Sequence, residues 1–163
     1  MGVRSRDRRS LVIGLVLSVG LLLLFVLYSY LSPNDDVHID VPVDGPGAMI
    51  EDVTELASGN YRSVVGKSKF ALVEFYATWC GYCKEFAPVY AELAAAVRAD
   101  AMLRERVVLA KIDSRRVRQL APHFQVKGYP SLFLVPPFEA KGQEYKGQRS
   151  VKAILAFLRA HVH

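Results

Sequence analysis

The sequence predicts a single α/β domain, a central mixed β-sheet covered by helices on both faces, preceded by one transmembrane helix. Three observations predict it. From about residue 51 onward, apolar strand-like runs and helical periodicities alternate in the order βαβαβαββα, the pattern of a sheet that buries both faces under helices. Residues 11–31 (LVIGLVLSVGLLLLFVLYSYL) carry no charge. A Cys-x-x-Cys pair stands where a buried strand gives way to a long helix. The chain has 163 residues, room for one domain and an appendage.

Residues 1–10 form a basic N-terminus in which Arg4, Arg6, Arg8 and Arg9 face only Asp7. As a helix, residues 11–31 span about 31 Å at roughly 1.5 Å per residue, close to the hydrocarbon thickness of a bilayer. Secretory signal cores are shorter, about 7–15 residues, and end at a small-x-small site. Here Tyr28, Tyr30 and Leu31 crowd the end of the run. The segment is therefore read as an uncleaved signal anchor, with both tyrosines at the far interface. A cleaved signal peptide would deliver the domain to the same side. Residues 32–50 hold Asp35, Asp36, Asp40 and Asp44 with Pro and Gly and no Lys or Arg. They read as a flexible acidic linker. The charge asymmetry places the N-terminus in the cytosol and the domain across the membrane.

Within 51–163, residues 52–56 (DVTEL) suggest a short edge strand, and Asn60 to Gly66 a short helix. Residues 70–76 (FALVEFY) are a buried strand. A long helix follows over 80–98, with Leu93, Ala94 and Val97 at helical spacing and Pro88 as a kink point. Residues 107–112 (VVLAKI) are a second apolar strand, and Ser114 is placed to cap a helix running to about His123. Residues 131–135 (SLFLV) end at Pro136-Pro137, and 143–146 pair beside them. Ser150 caps a last helix with Val151, Ile154, Leu155 and Leu158 on one face.

Composition excludes several function classes. The net charge of +5 is a sum of unlike segments. Arg115, Arg116 and Arg118 are read as a solvated helix face rather than a nucleic-acid patch. With two cysteines in the chain there is no disulfide framework and no second cysteine pair for zinc. His38, His123, His161 and His163 are too scattered to complete a metal site. No metal and no cofactor is expected beyond a redox-active Cys80–Cys83 disulfide.

The chemistry lies in Cys80-Gly81-Tyr82-Cys83. A helix N-terminus offers unpaired N–H groups and the positive end of the dipole, which favour a thiolate at Cys80 as nucleophile. Cys83, one turn on and more buried, can attack a mixed disulfide formed at Cys80 and release the substrate. Glu74 sits in the middle of an apolar strand. Strand alternation alone allows it to face the core or the solvent.

The stretch Val73-Glu-Phe-Tyr-Ala-Thr-Trp-Cys-Gly-Tyr-Cys-Lys-Glu-Phe-Ala-Pro-Val-Tyr90 resembles the active-site region of protein disulfide isomerase domains in the thioredoxin superfamily. The resemblance continues at Leu109-Ala-Lys-Ile-Asp113, Phe124-Gln-Val-Lys-Gly-Tyr-Pro130 and Tyr145-Lys-Gly-Gln-Arg149, and covers nearly all of residues 51–163. It implies a thioredoxin fold and a set of roles. Glu74 becomes a buried proton acceptor for Cys83, with Lys111 as its partner. Pro130 becomes a cis proline facing the cysteines. Tyr129 offers backbone groups to an extended substrate, with Trp79, Gly81 and Tyr82 forming a patch for unfolded chains. Arg149 becomes a modulator of the second cysteine, although an exposed loop arginine is an equal reading of the same residue.

One departure carries information. Most disulfide isomerase domains resemble one another in having Gly-His between the cysteines, whereas this chain has Gly-Tyr. Tyrosine cannot donate charge to the thiolate, which argues for a less oxidising centre and for isomerase or reductase work. The expected function is thiol–disulfide oxidoreduction on cysteine-containing client proteins, with an unidentified redox partner. The expected place is the endoplasmic reticulum lumen or another oxidising extracytoplasmic compartment. Two alternatives stand beside it: an anchored thioredoxin-like reductant dedicated to one partner, and a non-enzymatic thioredoxin-fold chaperone.

Overall fold

The computed structural model describes residues 19–24, 27 and 45–163. Residues 19–24 are helical (α1), as is Leu27, and their leucines are more than half exposed. Most of the span expected over 11–31, all of residues 1–10 and most of the linker lie outside the described residues. Among the described residues, no helix is long and apolar enough to cross a membrane.

The remaining elements are β1 (Val53–Leu56), α2 (Tyr61–Val64), β2 (Phe70–Tyr76), α3 (Gly81–Ala99), α4 (Ala101–Arg106), β3 (Val107–Asp113), α5 (Leu120–Phe124), β4 (Ser131–Val135), β5 (Gln143–Tyr145) and α6 (Val151–His161). The five strands form one mixed sheet in the order β1-β3-β2-β4-β5. β1, β3 and β2 run parallel, and β4 and β5 are antiparallel additions. β2 and β3 are central and nearly fully buried, which is why both read as continuous apolar runs.

Alternation along these strands divides the core in two. Leu72, Leu109, Leu132 and Leu134 pack under α3 and α6, against Phe86, Tyr90, Leu93, Ile154 and Leu158. Val73, Phe75, Ala110, Ile112 and Phe133 pack under α2 and α5, against Phe124. The Tyr90 hydroxyl reaches the Leu72 carbonyl at 3.0 Å and the Ala110 carbonyl at 2.9 Å, so α3 is fastened across the two central strands.

Three local readings of the sequence are corrected. Ser114 caps no helix. Residues 114–119 form turns, α5 is only five residues long, and Gln119 at its start makes no side-chain cap. The Asp113 carboxylate, one residue earlier, accepts the Arg115 N–H at 3.0 Å and holds the chain in a turn instead. Arg115, Arg116 and Arg118 therefore sit on an exposed turn, not a helix face. A short helix, α4, follows α3 where none was expected. Asp100 both ends α3 and caps α4 by accepting from the Met102 and Leu103 N–H groups at 3.1 Å each, and Arg159 of α6 binds the same carboxylate at 2.9 Å. Residues 45–50, read as the end of the linker, lie against the sheet: Ala48 N–H closes a turn on Gly45, and Ile50 is buried.

Candidate active site

The strand-to-helix junction after β2 sets the site. Cys80 is the N-cap of α3, in extended conformation, and its Sγ accepts the Cys83 N–H at 3.3 Å. A helix start leaves such N–H groups without intrahelical partners, and the sulfur fills one of them. This interaction strengthens when the sulfur is a thiolate, because a charged acceptor binds an N–H about twice as strongly. Both cysteines are free thiols. The Cys80 S–H donates to the Tyr129 carbonyl at 3.6 Å. Cys83 is fully inaccessible, while Cys80 keeps a small exposed fraction. Trp79 and Tyr82, at 66% and 71% exposure, stand in solvent on either side of Cys80 in the chain.

The segment before β4 closes the other side. The Tyr129–Pro130 peptide is cis. The Tyr129 ring meets Trp79 edge-on at 6.2 Å. Arg149 donates from Nη2 to the Pro130 carbonyl at 2.8 Å, so its head is fastened to the segment that faces Cys80.

Glu74 faces the α3 side of the sheet, two residues from Leu72 on the same strand, and is 2% exposed. Its Oε1 has no hydrogen-bond partner. Burial pushes its carboxyl up to about 8, against the attraction of Lys111 and with further repulsion from Glu55. The Cys83 thiol is pushed up to about 12, first by burial, then by its hydrogen bond with Cys80, with the Glu74 charge adding to the rise. The Glu74 charge thus acts on the buried thiol of the pair.

Lys111 is the second buried charge on this face, at 1% exposure. Its expected partner, Glu74, is its cross-strand neighbour and feels its charge, but the contacts of its Nζ lie elsewhere. Nζ donates to the carbonyls of Pro46 and Ala48 and lies 3.6 Å from Glu55 Oε2. Glu55 in turn accepts the Tyr76 hydroxyl at 2.9 Å, and its own carboxyl is raised by burial. Sequence reasoning missed Glu55, Tyr76 and the 45–48 turn. One signal was available for Glu55: it follows Val53 by two residues in a strand, so it shares that valine's core-facing side. Among the described residues, no group of His, Cys, Asp or Glu could hold a metal ion.

Known proteins similar to this chain are numerous. The Thioredoxin family profile matches residues 52–160. Protein disulfide isomerase-like 1-3 of Oryza sativa is 40% identical over 111 residues, which cover 67% of this chain and 20% of that protein. The solution structure of the first thioredoxin domain of mouse Protein disulfide-isomerase A4 superposes with a TM-score of 0.60 at 31% identity, covering 79% of this chain and 86% of that domain. Human ERp44 superposes with a TM-score of 0.62 at 29% identity, over 74% of this chain and 32% of that one. The chain thus spans about a fifth of the rice relative's length and about a third of ERp44.

Proposed function

The chain belongs to the thioredoxin family, and from that premise we propose that it is a thiol–disulfide oxidoreductase of the protein disulfide isomerase type, acting on disulfides of client proteins through Cys80 and Cys83. The observation that carries this reading is the asymmetry of the pair. Cys80 caps α3 beside exposed Trp79 and Tyr82, and Cys83 lies fully buried behind it, within the electrostatic reach of Glu74, whose Oε1 has no partner.

The chemistry balances within the chain and its client. The Cys80 thiolate attacks one sulfur of a client disulfide, forming a mixed disulfide and releasing a client thiolate. The Cys83 thiol gives its proton to the ionised form of Glu74. Its thiolate then attacks Cys80 Sγ, the Cys80–Cys83 bond forms, and the second client thiolate leaves. Two electrons pass from the dithiol to the client, and the reverse sequence oxidises it. No cofactor enters. Tyr129 and Pro130 supply a backbone edge for an extended client segment, as in strand addition. Trp79 and Tyr82 supply apolar contact. Arg149, held at Pro130 in this state, is the cation we assign to the charge that develops on Cys83.

The uncharged run 11–31 and the exposed leucines of α1 support membrane attachment, with the domain in the endoplasmic reticulum lumen or another oxidising compartment. Trapping in cells tests function and place together. Cys83→Ala should accumulate client mixed disulfides on Cys80 in a fraction that resists alkaline carbonate washing, and Cys80→Ala should trap few. Equal trapping by both variants overturns the assignment of roles, and release of the protein by the wash overturns the anchor. The reduction potential decides direction. A value near roughly −180 to −210 mV fits a lumenal isomerase, and one near about −270 mV fits a dedicated reductant.

A further inference from the structure

One lateral row of the sheet carries three charges. β1, β3 and β2 set Glu55, Lys111 and Glu74 side by side in register, and the row continues through Leu132 on β4 to Tyr145 on β5, both uncharged. The lysine has a carboxylate on each flank and treats them differently. An ammonium has three N–H protons. The Pro46 and Ala48 carbonyls take two, which leaves the third for Glu55, whose Oε2 lies 3.6 Å from Nζ. Tyr76 donates to the other Glu55 oxygen at 2.9 Å and fixes that carboxylate in place. Glu74 receives no hydrogen bond at Oε1 although it is the more deeply buried of the two acids.

We propose that Glu55 is a positioning residue for the redox pair: by engaging Lys111 it withholds the ammonium from Glu74, and so keeps the carboxyl beside Cys83 without a counter-ion in contact. This rests on the reading of the dithiol given above and deepens it. A buried carboxyl in contact with a lysine is a weak base that stays ionised. The same carboxyl without that contact holds a proton near neutral pH and exchanges it with a thiol far more readily, because the two affinities are closer. The Glu55 charge acts in the same sense through space.

The other groups facing Glu74 leave this balance to Glu55 and Lys111. Tyr76 on β2 and Tyr90 on α3 are both raised well above the ordinary tyrosine range by burial and stay neutral. Asp113 on β3 is engaged by the Arg115 N–H and by Arg116 at 3.5 Å. Cys83 on α3 is the proton's partner. β4 offers uncharged Leu132, α6 offers Ile154 and Leu158, and the 45–48 turn offers only its carbonyls.

The test reads Glu74 directly. The full chain is labelled with carboxyl carbon-13 glutamate and titrated in the reduced form, with the Glu74 resonance assigned by its absence from Glu74→Gln. Glu55→Gln keeps the shape and the Tyr76 hydrogen bond but removes the charge. It should lower the Glu74 midpoint by about one pH unit or more, the size expected when an opposite charge comes into contact. Tyr76→Phe, which frees Glu55 without deleting it, should lower the midpoint by less. The pH profile of client-thiol release from the mixed disulfide should move with the midpoint in both. An unmoved midpoint in Glu55→Gln, with the remaining resonances in place, overturns the proposal and leaves Glu55 as a tie between β1 and β3. That outcome is separate from failure of the dithiol reading, which the trapping experiment decides.

Discussion

The two faces of the sheet use the same strands to opposite ends. Under α2 and α5, Val73, Phe75, Ala110, Ile112 and Phe133 present nothing polar, and the rings of Phe75, Phe124 and Phe133 meet pairwise at 5.0 to 5.5 Å. Under α3, the alternate residues of the same strands include Glu55, Lys111 and Glu74, two of them almost inaccessible. The first face has the make-up of a stabilising core, since aromatic burial is among the largest favourable contributions a domain of this size can make. The second gives up part of that stability, since an unpartnered buried carboxyl costs about 1–3 kcal/mol. In the function proposed above that cost has a chemical use, because the Glu74 charge reaches the thiol that loses and regains a proton.

Substitutions on the two faces should therefore act with opposite sign. Phe75→Ala should give the largest effect, a loss of about 3–5 kcal/mol in denaturant unfolding, because it empties the centre of the aromatic cluster. Residual folded protein should keep its reduction potential. A loss below about 1 kcal/mol would mean that this face is not the stabilising one.

Glu74→Leu should do the reverse, raising stability by roughly 1–3 kcal/mol at neutral pH while slowing client release. Its pH dependence is the sharper measure. The folded chain holds the Glu74 proton up to about 8, whereas the unfolded chain releases it near the ordinary 4.5. Folding therefore takes up a proton between those values, and stability, full below 4.5, falls as pH rises through the folded value. Thermal unfolding should show this decline in the parent and not in Glu74→Leu. Identical slopes would place the titrating group elsewhere.

Trp79→Ala should change stability least, by less than about 0.5 kcal/mol, since the ring stands largely in solvent. It should raise the KM for a peptide disulfide while leaving kcat nearly unchanged. A fall in kcat instead would give the ring a part in chemistry rather than in holding the client.

Much of this was legible in the chain. FALVEFY and VVLAKI announce central strands because both their faces are buried, and residues 80–98 announce a helix because Leu93, Ala94 and Val97 return at helical spacing. The region around Ser114 was misread because Asp113, a better local acceptor one residue earlier, took the backbone and bent it. α4 was missed because six residues are too few for periodicity to register, and its cap is an Asp that also closes the preceding helix. Within the site, the placement of both cysteines at the start of α3 followed from sequence, as did the segment holding Tyr129 and Pro130. The partner of Lys111 did not.

The reason lies in what kind of information each level holds. The sequence by itself determined the order of the strands, the burial of the two central ones and the position of the Cys-x-x-Cys pair at a helix start, because these depend on local spacing and on the residues within one or two turns. Which carboxylate Lys111 engages depends on β1 lying next to β3, on the register that aligns Glu55 with Lys111, and on a turn at 45–48 whose carbonyls reach the same nitrogen. Those are long-range pairings, and only the folded sheet brings the carbonyls within hydrogen-bond distance and the carboxylate within ion-pair distance of the same nitrogen. Tertiary structure thus directs the lysine's contacts to Glu55 and the two carbonyls and away from Glu74, the more buried acid, and on the proposal above that choice leaves Glu74 to hold a proton.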